Sequence, residues 1–461
     1  MIVRDRNTIL DEQVVKGVIA EFMRDVSPRL KRLHEAYAGS GPITKRSRAA
    51  GLPNNKLVHG FPRYIVTMSS GYLVGKPVTY RDDNQKEGIE ALGVMYKHSN
   101  MDSVDAELAS DAAIYGRGVC ICYTDEDGRP KAATISPKNA FVVYDDTVEH
   151  KPLFGVHWLD KKDAQGKVTG VTVNVYTNVA RVGYTGKTLS AIMPLPDEPE
   201  PHYFGRVPVI EFWNNAQETG DFEPVLSLIE AYDVLESDRV NDKQQFTDAV
   251  LLLTGCTLEN DDPEDKRTPA QKLLEEKTLS LPDMDAKAEW LVKQSDESGA
   301  ETLKDALKAD IHKMSMVPDM TDENFAANAS GVAMRYKLLG LEQLTGIKER
   351  WFREGLRSRL RLFAHMMGVL AIGSLDPEEV TMTFTRALPV NETEIAAMVA
   401  QLDGLVPREI LLSQVPFVED VEEAMAQLEK QQAEEAKRNA EAFGGKYLDG
   451  NDKDDGQDDA E

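Results

Sequence analysis

Gly186-Lys187-Thr188 carries the residue types of a phosphate-binding loop, in which backbone N–H groups and a lysine cradle the phosphate oxygens. That chemistry needs a glycine five positions before Gly186, and Arg181 stands there. Gly183 is too close to leave a phosphate-sized loop. The flanks, Val173 to Val182 and Leu189 to Met193, read as two arms of a hairpin, so the spacing predicts a turn. Asp449-Gly-Asn-Asp-Lys-Asp-Asp-Gly has the composition of a calcium loop. Lys453 falls where that loop requires an oxygen ligand, and no closing glutamate can be placed. The eight histidines are scattered, with no two within four residues of each other, so no His-x-x-x-His ligand pair exists. No Gly-x-Ser-x-Gly elbow occurs either. Cys120 and Cys122 alternate along an apolar run and are expected on opposite faces of a strand, as buried thiols of a reducing compartment. No catalytic residue, metal site or cofactor is expected.

The chain has 461 residues and a net charge of −25, with 78 acidic against 53 basic side chains. At roughly 150 residues per domain the length suggests about three domains. The acidity excludes an ordinary nucleic-acid binder, which needs basic surface to displace counterions from phosphate. Met1-Ile-Val-Arg-Asp-Arg is charged where a signal peptide needs an apolar core, and no apolar run approaches a membrane span. A cytoplasmic protein, or a component of something assembled there, is expected, with no membrane partner.

Hydrophobic spacing lays out the elements. Residues 8–37 read as helical, with Val14, Val15, Val18, Ile19 and Phe22 on one face. A second helix starts near Asn55, and Gly71 to Tyr80 turns extended because Pro77 forbids a helix interior. Residues 102–116 are helical. From Gly118 to about Trp213, short β-rich runs separated by turns predict a mostly antiparallel sheet. Glu223-Pro224 opens a long helix reaching Leu253 and stopping at Gly255, some 30 residues or about 45 Å. A charged insertion covers 256–298, and helical spacing resumes from Leu303 to Met314 until Pro318. Asp319 to Ala329 has no periodicity. A very long helix follows from about Val332 to Met367, then a strand from Val380 to Thr385. Helical segments follow at 391–403, 407–412 and 418–443. Asp449 to Glu461 holds seven acidic residues and one lysine, the composition of a disordered tail.

Five segments, in order, speak together. They are Asn54-Asn55-Lys56-Leu57-Val58-His59-Gly60-Phe61-Pro62-Arg63-Tyr64 with Gly71 to Val78, and Ala113-Ile114-Tyr115-Gly116. Next come Gly205-Arg206-Val207-Pro208-Val209-Ile210-Glu211-Phe212 with Asn214-Asn215 and Gly220-Asp221-Phe222-Glu223. The fourth is Leu228-Ile229-Glu230-Ala231-Tyr232 with Ser237-Asp238 and Asn241-Asp242, and the fifth is Ser330-Gly331-Val332-Ala333-Met334-Arg335-Tyr336 through Leu341. Over about residues 30–430 the chain resembles the portal (head-to-tail connector) proteins of tailed bacteriophages, of the siphophage type.

The resemblance implies an α+β portal fold assembled as a ring, twelve-fold in the virion, with a channel for double-stranded DNA. The α/β wing would comprise 1–223 and 331–395. The stem helices would be 224–255 and 299–317, with the clip at 256–298 between them. The helical crown would be 396–445, and the acidic tail 446–461. Implied partners are further copies of the chain, the terminase large subunit, head-completion or adaptor proteins, and the major capsid and scaffold proteins. The implied location is the portal vertex of the virion. Residues 318–330 match the family's tunnel loop, which faces the DNA, with Asp319, Met320, Thr321, Asp322, Glu323, Asn324, Phe325 and Asn328 as candidate contacts. The most basic window holds Lys348, Arg350, Arg353, Arg357, Arg359 and Arg361. Their composition allows DNA contact, but pairing with acidic neighbours, within the chain or across a ring, is the preferred expectation. The rival readings are another ring-forming head-tail adaptor and a phage enzyme with a dispersed active site.

Overall fold

The computed structural model describes residues 1–50, 52–196, 199–246, 250–254, 287–291, 297–321, 336–386, 392–413, 415, 418 and 421–444. They fall into two compact units, where the length suggested about three: residues 1–321 with 337–387, and residues 322–336 with 388–461.

The first unit begins with β1 (Ile2–Arg4) and α1 (Glu12–Asp25), whose N-terminus is capped by the Asp11 carboxylate accepting from the Val14 amide at 2.8 Å. The helical reading of 8–37 is corrected to two helices. The chain bends at Val26, and Pro28 sits in the first turn of α2 (Ser27–Tyr37), where its missing N–H costs nothing. The helix expected from Asn55 starts only at Phe61, as α3 (Phe61–Val74), because residues 54–60 spend their donors on another element described below. β2 (Thr79–Arg81) follows, then α4 (Lys86–His98), for which the sequence reading had no expectation, and α5 (Met101–Tyr115). Gly116 closes α5 in left-handed backbone, φ 84°. A Cβ there would lie 1.9 Å from the Glu218 carbonyl oxygen, so only glycine fits.

The β region is antiparallel apart from one pair. β3 (Arg117–Thr124) lies between β4 (Pro130–Ile135) and β11 (Val209–Trp213). The larger sheet has seven strands. β1 pairs in parallel with β5 (Ala140–Asp145). β6 (Pro152–Lys162), β7 (Val168–Tyr176) and β8 (Ala180–Gly186) then follow in order, with β9 (Ile192–Pro194) and β10 (Glu200–Pro201) both on β8. Gly186-Lys187-Thr188 is the turn between β8 and β9, as its flanks predicted. The cysteine reading is corrected: residues two apart on a strand share a face, so Cys120 and Cys122 both enter one core, while Val119 faces another.

The long helix expected over 224–255 is also corrected. After a 3-10 turn at Glu223–Val225, α6 (Leu226–Phe246) spans 21 residues, about 31 Å. Val250–Thr254 is instead a strand, β12, paired antiparallel with β13 (Lys287–Leu291). An unbroken Val-Leu-Leu-Leu run fits helix or strand alike. The choice was made by a partner strand beyond residue 286. Most of the 256–298 insertion lies outside the described residues. α7 (Glu297–Ser315) and α8 (Leu339–Val369) come next, and β14 (Thr381–Thr383) pairs with β2.

The main core forms where α8 packs on β11 and α5 packs on β3. Phe212, Phe352, Leu356, Phe363, Leu108 and Cys120 meet there, each removed from water. Full burial of such a side chain contributes about 1.5–3 kcal/mol. Gly355 permits the packing of α8 on β11, since a Cβ would fall 2.5 Å from the Phe212 ring. A second centre lies under α1, where Phe22 stacks on Phe141 at 4.7 Å and meets Trp158 edge-on at 5.5 Å.

The second unit contains α9 (Glu392–Leu402), α10 (Arg408–Ser413) and α11 (Val421–Gly444), matching the three helical segments expected there. The acidic tail, 449–461, lies outside the described residues.

Candidate functional site: the root of the 318–330 segment

Polar side chains on α6 recur every four residues as Asp233, Ser237 and Asn241, which places them on one helix face. All three are buried, because the extended segment 54–60 runs along that face and donates to them. The Asn55 amide donates to Asn241 Oδ1 at 2.7 Å, the Leu57 amide to Ser237 Oγ at 2.9 Å, and the His59 amide to Asp233 Oδ1 at 2.8 Å. Burial pushes the Asp233 carboxyl up, and the His59 donors pull it part of the way back. Side chains thus replace the partners that a strand would find in a sheet. The four-residue repeat was readable in the sequence. Its partner segment, some 180 positions upstream, was not.

α6 and α7 lie side by side and are joined by a ladder of ion pairs. Arg239 reaches Glu236 at 2.6 Å on its own helix, and Glu301 at 2.6 Å and Glu297 at 3.4 Å on α7. Lys243 meets Glu297 at 2.9 Å. The later residues of α6 meet the earlier residues of α7, so the helices are antiparallel.

At the end of α7 the chain turns through Met316, whose φ of 59° is left-handed, into Val317 and Pro318. His312 Nδ1 lies 3.0 Å from the Val317 carbonyl oxygen. The Tyr64 hydroxyl on α3 donates to the Pro318 carbonyl at 2.7 Å and accepts from the Met320 amide at 3.0 Å, pinning the chain on both sides of Asp319. Asp319 pairs with Lys308 at 2.7 Å and accepts from the Thr321 amide and hydroxyl at 3.0 and 2.6 Å. Burial pushes the Asp319 carboxyl up, but Lys308 and the two Thr321 donors outweigh it and hold it at about 2. Asp319, Met320 and Thr321 are therefore the anchored root of the segment, with Asp319 turned back onto α7. Asp322, Glu323, Asn324, Phe325 and Asn328 lie outside the described residues.

The basic window does not form one patch. Lys348 is buried and pairs with Asp221, whose other oxygen accepts from Asn214 Nδ2 at 2.8 Å. Arg359, also buried, holds Asp105 bidentately at 2.6 and 3.0 Å. Burial pushes the Asp105 carboxyl up, and the guanidinium pulls it back toward the charged form. Neither cation is available to a ligand outside the fold. Arg353 pairs with Glu349 at 2.5 Å, and Arg361 with Glu378 at 2.7 Å. Arg357 donates to the Pro377 and Glu378 carbonyls at 3.1 and 3.0 Å. Only Arg350 is exposed with no partner among the described residues. Among those residues no cluster of three or more His, Cys, Asp or Glu is placed to hold a metal, and no helix is long and apolar enough to cross a membrane.

Comparison with known proteins identifies the family of the chain. The chain is 27% identical to the portal protein of Bacillus phage SPP1 over 450 residues, covering 91% of this chain and 84% of that protein. It is 24% identical to the portal protein of Clostridium phage phiCD119 over 393 residues, covering 80% of this chain and 83% of the other. Residues 19–438 match the family model described as phage portal protein, SPP1 Gp6-like, and the chain belongs to that family.

Proposed function

We propose that the chain closes with copies of itself into a ring, twelve-fold in the virion, through which double-stranded DNA is packaged and later ejected. Portal function at the capsid vertex follows from the family match over residues 19–438, and that match is the observation that carries the reading. In the proposed ring the antiparallel pair α6 and α7 forms the wall as the stem. The β12–β13 strand pair at its far end belongs to the clip, the region around β3–β11 and α8 makes the wing, and α9–α11 make the crown. The 318–330 segment serves as the tunnel loop facing DNA. Its described root supports this, because a loop that touches a moving duplex needs firm attachment at its base.

The role is mechanical, with no chemistry of its own. Terminase large subunit docks during packaging and supplies the ATPase, then head-completion or adaptor proteins follow. Major capsid and scaffold proteins surround the wing during assembly in the host cytoplasm. Negative-stain images of the purified chain test the ring directly. Rings with a central hole are expected, and featureless monomers would overturn the reading. Deleting Asp319 to Asn328 should spare ring assembly and block DNA packaging. Normal packaging in that mutant would remove the tunnel-loop assignment.

A further inference from the structure

In the first unit, a cavity of about 520 Å³ opens between α8 and the ends of β5, β6 and β11. Its walls are largely apolar and aromatic, with Trp213, Trp351, Tyr144, Val207 and Leu362 among them. The volume lies in the range that accepts a small ligand or one or two inserted side chains. The chain around the mouth also leaves apolar groups in water. Val148 is 100% exposed, Tyr203 64% and Val179 63%. They sit on the turns that supply His150, Gly205 and Asn178 to the lining. Tyr203 and His150 hold left-handed backbone, φ 60° and 47°, a conformation that costs a non-glycine residue energy and that concentrates at binding sites.

The charges of the lining are mostly spoken for. Glu211 is buried against Arg117 and Tyr144, each at 2.9 Å. Arg361 pairs with Glu378, and Lys151 with Glu149 at 2.6 Å. Arg206 and Glu354 are exposed and have no partner among the described residues. Exposed apolar side chains one or two positions along the chain from three lining residues suit an extended segment better than a small molecule.

We propose that this cavity is a docking site for a short segment of a different protein chain, which inserts an aromatic or long aliphatic side chain beside Trp213 and Trp351 and sets a neighbouring carboxylate against Arg206. Charge complementarity places the acidic residue on the Arg206 side of the cavity, where the one cation of the lining without a partner among the described residues stands, and away from the unpartnered Glu354. The inference stands on the cavity and does not depend on the ring.

The test uses the full chain in cells producing the phage, with Tyr203→p-benzoylphenylalanine as a photo-crosslinker of similar shape at the mouth. Crosslinked peptides are then sequenced by mass spectrometry. The expected product joins position 203 to a segment of a different chain carrying an aromatic, Leu, Ile or Met residue with Asp or Glu within a few positions. Adding Arg206→Glu should lower its yield about tenfold, because a like charge replaces the complementary one. Replacing the partner's acidic residue with lysine should restore it. Crosslinks only to copies of this chain, a segment without an acidic residue, no crosslink, or a yield insensitive to Arg206→Glu would each overturn the proposal.

Discussion

Lys348 and Asp221 meet inside the fold, with the Ser69 hydroxyl and the Asn214 amide completing their hydrogen bonds. Removing one partner of such a pair strands a buried charge. Lys348→Met should therefore destabilise the chain by about 3–5 kcal/mol in urea unfolding, and adding Asp221→Leu should recover much of the loss. Equal stability of the single mutant and wild type would show that the pair is not closed to water. Asp111 behaves differently. Burial, then Glu107, push its carboxyl up to about 7 while Lys138 opposes them. In the unfolded chain it ionises near its ordinary value of about 3.9. Between those values the folded state holds the proton more tightly, so stability falls as pH rises from about 4 to about 7 and then levels off. Asp111→Asn should raise the melting temperature at pH 8 and change it little below pH 4. Parallel melting profiles across that range would remove this assignment.

Among elements, the α6–α7 pair and the 318–321 root depend on side chains that reach between segments. Arg239 touches three glutamates on two helices, all partly exposed. Arg239→Ala should cost only about 1 kcal/mol in urea unfolding, because exposed pairs are screened by solvent even when networked. Tyr64 pins the root with one donor and one acceptor. Tyr64→Phe should speed hydrogen exchange at the Met320 amide severalfold and leave the global melting temperature nearly unchanged, since a typical hydrogen bond nets about 1 kcal/mol. Acid should loosen the same root. The Asp319 carboxyl is held below its unfolded value, so its contribution is full above about pH 4 and is lost as pH falls through about 2.

For the whole molecule, the net charge of −25 bears on how DNA is handled. Multiplied around the proposed ring, it gives a tube that repels the phosphate backbone. The cations of the most basic window are largely consumed inside the chain: Lys348 and Arg359 are buried in pairs, and Arg353, Arg357 and Arg361 are tied to neighbours. The purified chain should therefore retain little duplex DNA in filter binding at about physiological ionic strength. Tight, salt-sensitive retention would contradict a conduit that lets DNA slide.

Local sequence rules determined the mixed α and β class and most of the elements, though not α4, the break at Val26 or the strand at Val250–Thr254. The short β-rich runs of 118–213, the helical spacing around Val18 and the helix-ending Pro318 are short-range features that the backbone reads within a few residues. The five ordered segments, which match no active-site motif, pointed to the family for the same reason, because their spacing is written in one dimension. Only the tertiary structure decided that Val250–Thr254 is a strand, that residues 54–60 are extended along α6, and which arginines are buried. Each of those outcomes depends on a partner tens to hundreds of residues away. A residue alone cannot say whether its hydrogen bond or its charge will be met by a neighbour or by water.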